Sequence, residues 1–272
     1  MHPRLSLSAI STFDWPLDKD LAFWAGAGIT NVGVSAAKLE RAGWDAGARR
    51  VADAGLRVTN LIGLGSVPLD DPTEWPARRD RLGHVLDAAA TVGAECVVLT
   101  TGPAGRLTWE DAADALADAL DPVLADARDR GIPLALEHTN SLRVDIGFVH
   151  TLRDAVDLAR RLGTGVCMEI NACWAERELA GTISAGVDTL RLVQVSDYAV
   201  GTLATPDRLV PGDGDIPLER IIREVLAAGY TGCFDLELIG PRIAAEGYAA
   251  AARRGIGRAS GLLDRLDAGV TA

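Results

Sequence analysis

The sequence predicts a (β/α)8 barrel, and three observations carry that expectation. Short β-like runs alternate with helical stretches eight times along 272 residues. Glycine closes most of the helical stretches just before the next run. No Pro/Ser-rich linker or break in composition divides the chain, so residues 1–272 read as one domain.

Taken in order, the first run covers 5–12 and is followed by helical periodicity over 17–27, closed by Gly28. The second pair is 30–35 with 36–54 and Gly55, and the third is 56–64 with 75–92 and Gly93. The fourth is 96–101 with 109–130 and Gly131, and the fifth is 133–138 with 149–162 and Gly163. The sixth pairs 165–171 with 176–185, and the seventh pairs 190–196 with 218–228, closed by Gly229. The eighth pairs 232–238 with 243–266. Each β-like run is apolar on both sides of its alternation, as suits parallel strands covered on both faces. Glycine after a helix supplies the left-handed cap that other residues adopt at a steric cost. A doubly wound open sheet is the competing architecture. It would carry a glycine fingerprint after the first strand, where this chain reads STFDWP.

Composition narrows the function classes. Hydrophobic residues make up 48% of the chain but aromatics only 5%, so the core is aliphatic. A net charge of −11 opposes a nucleic-acid partner, because phosphate binding needs a basic footprint. No run of eighteen apolar residues and no basic region followed by an apolar stretch is present, so neither a membrane span nor a signal peptide is expected. The expected setting is cytoplasmic. Cys96, Cys167, Cys173 and Cys233 show no CxxC spacing and read as buried free thiols.

Residues at the C-terminal ends of barrel strands converge on one mouth. The fifth strand ends in Glu137 and His138, the sixth in Glu169 and Asn171, the seventh in Gln194, Ser196 and Asp197, and the eighth in Asp235 and Glu237. Asp235 and Glu237 share a face at different depths, and Glu237 is nearer the rim. Carboxylates set in apolar strands are costly unless paired or bound to a cation. A divalent ion held by Glu137, Glu169, Gln194 and Glu237 meets that need, and oxygen-only ligands favour Mn²⁺ or Mg²⁺. The bland alternative is that each acid pairs with an arginine.

The segments LALEHTN, MEINACW, VQVSDY, PGDGDIPL and GYTGCFDLEL, in that order, resemble the xylose isomerase-like superfamily, and within it the sugar phosphate isomerase/epimerase branch. The resemblance covers essentially the whole chain. It implies a metal held by four residues from strands five to eight, typically Glu, Asp, His and Glu, falling here on Glu137, Glu169, Gln194 and Glu237. It also implies proton transfer through an enediolate-like intermediate, with Glu137 and Glu237 as the acid/base pair. The implied substrate is a keto-sugar or related polyol, and homo-oligomers are common in the family. Two departures stand out: Glu169 replaces the usual Asp and Gln194 the usual His, while the His often found three residues after the sixth-strand acid is Ala172. DNA-repair endonucleases of the same superfamily need many His ligands, whereas this chain has His2, His84, His138 and His150.

Around this centre, His138, Asn171, Asp197 and Arg242 are candidate substrate contacts, and Trp15, Trp109 and Trp174 candidate pocket walls. Trp24, Trp44 and Trp75 read as packing residues. The twenty or so residues between the seventh strand and the next helix form a loop expected over the mouth, since loops of that length are usually functional. Its PGDGDIP glycines fit a tight turn better than a phosphate cradle. The lysines, Lys19 and Lys38, lie on no late strand, which disfavours Schiff-base chemistry, and no GxSxG elbow or Cys/His pair is present. The leading expectation is a metal-dependent isomerase or epimerase. The same intermediate also suits a lyase (a keto-inositol-type dehydratase or 3-keto-glycoside deglycosidase), and a non-catalytic sugar-binding barrel is the third reading.

Overall fold

The strands form where the apolar runs predict them. In the computed structural model, which describes residues 1–63 and 67–270, they are β1 (Leu5–Ser8), β2 (Asn31–Ser35), β3 (Arg57–Ile62), β4 (Val97–Thr100), β5 (Leu134–Glu137), β6 (Gly165–Glu169), β7 (Leu190–Val195) and β8 (Cys233–Leu236). Every neighbouring pair is parallel, and β8 pairs with β1 through Phe234–Leu5 and Leu236–Leu7, closing the barrel. The helices are α1 (Leu17–Ala27), α2 (Ala36–Ala42), α3 (Trp44–Asp53), α4 (Trp75–Val92), α5 (Trp109–Asp129), α6 (Leu152–Leu162), α7 (Ile170–Cys173), α8 (Leu179–Gly186), α9 (Leu218–Ala227), α10 (Pro241–Glu246) and α11 (Tyr248–Val270).

Several boundaries differ from the sequence expectation for local reasons. The helix expected over 36–54 breaks at Gly43, whose φ of 81° ends α2 and redirects the chain into α3. The last helix breaks likewise at Gly247. The first strand stops at Ser8, whose hydroxyl accepts the Ile10 N–H and starts a 3-10 turn. The sixth stops at Glu169, whose carboxylate accepts the Asn171 N–H at 2.9 Å and opens α7. Helix α6 begins at Leu152 rather than 149, because the Thr151 hydroxyl caps Asp154. Leu64, the last residue of the third expected strand, lies outside the described residues.

Two apolar cores flank the sheet. The larger lies between strands and helices and contains Trp24 and Phe234, both fully buried. Inside the barrel Cys96, Val98, Ala135, Cys167, Leu192 and Cys233 form a separate buried layer with Ile62 against it. Three of the four cysteines thus belong to the inner layer and Cys173 to the outer core, and all four are buried free thiols. Among the described residues, no helix is long and apolar enough to cross a membrane.

A buried ion pair ties the start of the barrel together. Lys38 of α2 donates to Asp20 of α1 at 2.6 Å and to the Thr12 carbonyl at 2.8 Å, and the Thr12 hydroxyl donates to Asp20 at 2.6 Å. Burial pushes the Asp20 carboxyl up and the Lys38 amine down, and each partner works against the other's shift. Removing one member leaves the other buried and uncompensated. Lys38→Met is therefore expected to cost roughly 3–5 kcal/mol in urea unfolding, with much of it recovered by adding Asp20→Leu. A loss no larger than that of an exposed pair such as Arg220–Glu224 would contradict this role.

Candidate functional site

Strand alternation aims the polar strand ends into the barrel mouth. Ala135, Cys167, Leu192 and Cys233 belong to the inner layer, and side chains two residues on share their face. Glu137, Glu169, Gln194 and Asp235 therefore point to the same axis one layer higher, and Glu237 lies one layer above Asp235. The register agrees: Glu169 pairs with Gln194, Gln194 with Asp235, and Asp235 with Ser6. All five side chains are buried.

What holds the acids together is an arginine. Nη1 of Arg208 lies 2.5 Å from Oε2 of Glu169 and 2.5 Å from Oε2 of Glu237. Its side chain is only 14% exposed, so the charges attract through protein rather than water. Burial opposes the guanidinium's charge, but Glu169, Glu237 and Glu137 outweigh it and hold its pKa above the ordinary value. Arg208 escaped the sequence reading of strand ends because it sits in the long loop after β7, which has no periodicity to place its side chains. The available signal was the need of buried acids for an arginine, together with the expectation that this loop covers the mouth.

The loop is built to deliver it. Asp197 and Leu209 exchange backbone hydrogen bonds of 2.9 and 2.8 Å, and the Arg208 N–H donates to the Ile239 carbonyl at 2.9 Å. Asp197, a candidate substrate contact by sequence, uses its carboxylate on the loop itself, accepting N–H groups from Tyr198, Gly212, Gly214 and Ile216. The PGDGDIP amides thus face an internal carboxylate. Gly214 is required there, since a Cβ would lie 2.5 Å from both the Asp197 carboxylate and the Tyr198 carbonyl.

The acids differ in their environments. Burial, then Glu237 and Glu169, raises Glu137 well above the usual carboxylate range. Burial lifts Glu169 to about 7 against the opposing effect of Arg208. Asp235 rises to about 7, again mainly by burial, although it accepts a hydrogen bond from Ser6. Gln194 is fully buried, and neither of its amide atoms has a hydrogen-bond partner among the described residues.

A narrow cleft of about 50 Å³ is lined in part by Glu137, Glu169, Asn171, Arg143, Tyr198 and Arg208, while Gln194, Asp235 and Glu237 do not reach its wall. Other expected contacts lie elsewhere. His138 is fully buried, accepts the Glu169 N–H at Nε2, and is held neutral by burial, its pKa lowered to about 3. Arg242 pairs with Asp207 at 3.2 Å. Trp15 packs edge-on against Phe23 and Tyr248, and Trp109 against Phe148. Trp174 is half-buried against the outer core and, like these tryptophans, does not line the cleft. A second depression, lined by Leu124, Arg128, Leu162 and Arg191, lies at the opposite end of the strands and contains no carboxylate.

The four residues that the sequence assigns to a divalent metal meet at the barrel mouth, Glu137, Glu169 and Gln194 on one level and Glu237 one layer higher, with the Arg208 guanidinium between Glu169 and Glu237. Among the described residues, no group of three or more His, Cys, Asp or Glu side chains has the geometry to hold a metal ion. The space between Glu169 and Glu237 belongs to the Arg208 guanidinium. Gln194, where a histidine ligand is common, is a neutral and weaker donor.

The raised carboxyls carry a stability consequence. A folded-state pKa above the ordinary 3.8 means that folded Asp235 keeps its proton up to about pH 7. Its contribution is thus present below 3.8 and is lost as pH rises toward 7, with a slope of up to about 1.4 kcal/mol per pH unit. Denaturant unfolding across that range should show a shallower decline for Asp235→Asn than for the unmodified chain. Superimposable profiles would contradict the assignment.

Comparison with known proteins follows the same outline. The sequence matches the xylose isomerase-like TIM barrel family over residues 21–258. No curated protein matches it. Among solved structures, protein SMc04130 from Sinorhizobium meliloti is similar with a TM-score of 0.82 and 25% identity, over 97% of this chain and 98% of that one. The IolI protein with a bound zinc atom is similar at TM-score 0.84 and 16% identity, over 97% and 99%. The 3-keto-D-glucoside 4-epimerase YcjR from E. coli, in its apo form, is similar at TM-score 0.70 and 17% identity, over 93% and 98%. The family match spans most of the chain and the barrel closes as that family's does: the protein belongs to the xylose isomerase-like TIM barrel family.

Proposed function

We propose that this barrel is an isomerase or epimerase that moves a proton at the carbon beside the carbonyl of a keto-sugar or related polyol. The observation that carries the reading is the set of buried carboxyls around one guanidinium at the barrel mouth. Their environments differ enough to separate an acid from a base. The kinship with a 3-keto-glucoside epimerase points to the same substrate class.

Glu137, kept protonated by burial and by its anionic neighbours, is the general acid. Glu237, ion-paired to Arg208, is the base. It removes the proton from the α-carbon, and the released electron pair forms the carbon–carbon double bond of an enediol. Negative charge developing on the carbonyl oxygen faces Arg208 and takes its proton from Glu137. Delivery of the Glu237 proton to the former carbonyl carbon, with the neighbouring hydroxyl giving its proton to Glu137, completes an isomerisation. Protonation of the original carbon on its opposite face by water, with the enediol oxygen returning its proton to Glu137 and Glu237 releasing its own to solvent, completes an epimerisation. No step here is routed through a divalent ion, because the residues do not fit one as arranged. Asn171 at the cleft wall is the nearest candidate for orienting a hydroxyl.

Incubation with neutral 3-keto-glycosides and keto-polyols in deuterated water is the direct test. The chain is expected to introduce deuterium at the α-carbon, and Glu137→Gln or Glu237→Gln to slow exchange by about 10²-fold or more. Because the acid must be protonated, the rate should fall as pH rises past the elevated pKa of Glu137, and Glu137→Gln should lose that limb. Exchange that both substitutions leave unchanged, or its absence across the substrate panel, would refute the reading.

A further inference from the structure

We propose that Arg208 is the resident cation of the carboxylate site, occupying the position a divalent ion would hold and leaving the barrel without a metal requirement. This goes beyond the reaction proposed above and does not depend on which substrate is turned over.

The case is geometric. Glutamates on the ends of β5, β6 and β8 face one axis, and the charges of Glu169 and Glu237 buried there need a counter-charge. One nitrogen of Arg208 supplies it, 2.5 Å from an oxygen of Glu169 and 2.5 Å from an oxygen of Glu237. A metal at the same place would need those same two oxygens.

The arginine is also fixed from both sides. Leu209 is bridged to Asp197 at the end of β7, and Arg208 itself is hydrogen-bonded to Ile239 beyond β8. Asp207 is paired with Arg242. Gly240 lies so close to this segment that a Cβ there would be 2.7 Å from the Asp207 Cα and 2.8 Å from the Pro206 carbonyl. The segment carrying the guanidinium is therefore tied at the end of β7 and to the loop after β8.

The donor set agrees. Gln194 stands between Glu169 and Asp235 in the register, fully buried, with both amide atoms unpartnered among the described residues. A neutral amide binds a divalent ion more weakly than an imidazole or carboxylate does, but it suits a pocket whose positive charge arrives on a side chain. A guanidinium differs from a metal in kind. It donates directed hydrogen bonds, keeps its charge at every working pH and requires no loading. It polarises a carbonyl through N–H contacts rather than coordination.

The experiment is metal analysis with no turnover readout, so its result is independent of the proposed reaction. The full chain, purified without chelator, is analysed for elements and then titrated calorimetrically with Mn²⁺, Mg²⁺, Co²⁺ and Zn²⁺ near neutral pH. The expected result is no stoichiometric metal, no saturable binding and no change of melting temperature with EDTA. Arg208→Ala, which opens the position, is expected to bind Mn²⁺ at least about tenfold more tightly than the unmodified chain, a gain abolished by adding Glu237→Gln. One equivalent of divalent ion in the unmodified chain, removed by Glu169→Gln or Glu237→Gln, would overturn the proposal. So would a folded Arg208→Ala that gains no affinity. If that variant fails to fold, elemental analysis and titration of the unmodified chain still decide.

Discussion

The contact of Arg208 with Glu169 and Glu237 is the constraint on which the rest of the mouth depends. A barrel whose strands end in several buried acids is electrostatically unfavourable until a positive charge arrives. Here the charge comes from the chain itself, carried by the segment after β7. That segment in turn requires the Asp197 carboxylate that gathers its amides, the Gly214 that lets it approach, and the Gly240 that leaves room beside it. The acids, the arginine and the loop form one cooperative unit.

Below that unit the barrel behaves as an aliphatic core. Cys96, Cys167 and Cys233 sit with Val98, Ala135 and Leu192 in a dry layer, and polar groups begin one pleat higher. The strand period of two places an apolar floor directly beneath the charged mouth. That floor is part of the burial that raises the carboxyl pKa values of Glu137, Glu169 and Asp235. The Asp20–Lys38 pair plays a separate part, tying the first two helices to the turn after β1.

How much of this was legible in the sequence follows from which groups obey a period. Eight apolar runs separated by helical stretches specified the barrel, and alternation along LALE, CME, LVQ and CFDLE brought Glu137, Glu169, Gln194 and Glu237 to one axis. Breaks inside helices were not legible, because Gly43 and Gly247 look like the tolerated glycines at Gly47 or Gly257 until their φ angles are known. Residues that follow strands by position alone were placed less well. Trp15, Trp109 and Trp174 pack against neighbours away from the cleft, and Asp197 binds its own loop. Arg208 could not be singled out for the same reason: the loop was expected over the mouth and the acids called for an arginine, but an aperiodic segment does not say which of its side chains points inward.

The most direct test of this account is the coupling between Arg208 and Glu237. A double-mutant cycle with Arg208→Met, Glu237→Gln and the double variant, followed by urea unfolding, measures the pair itself. A buried, shared ion pair predicts a coupling of about 1.5 kcal/mol or more. Additive effects, agreeing within about 0.5 kcal/mol, would mean that the guanidinium does not hold the mouth together and would contradict the account at its centre.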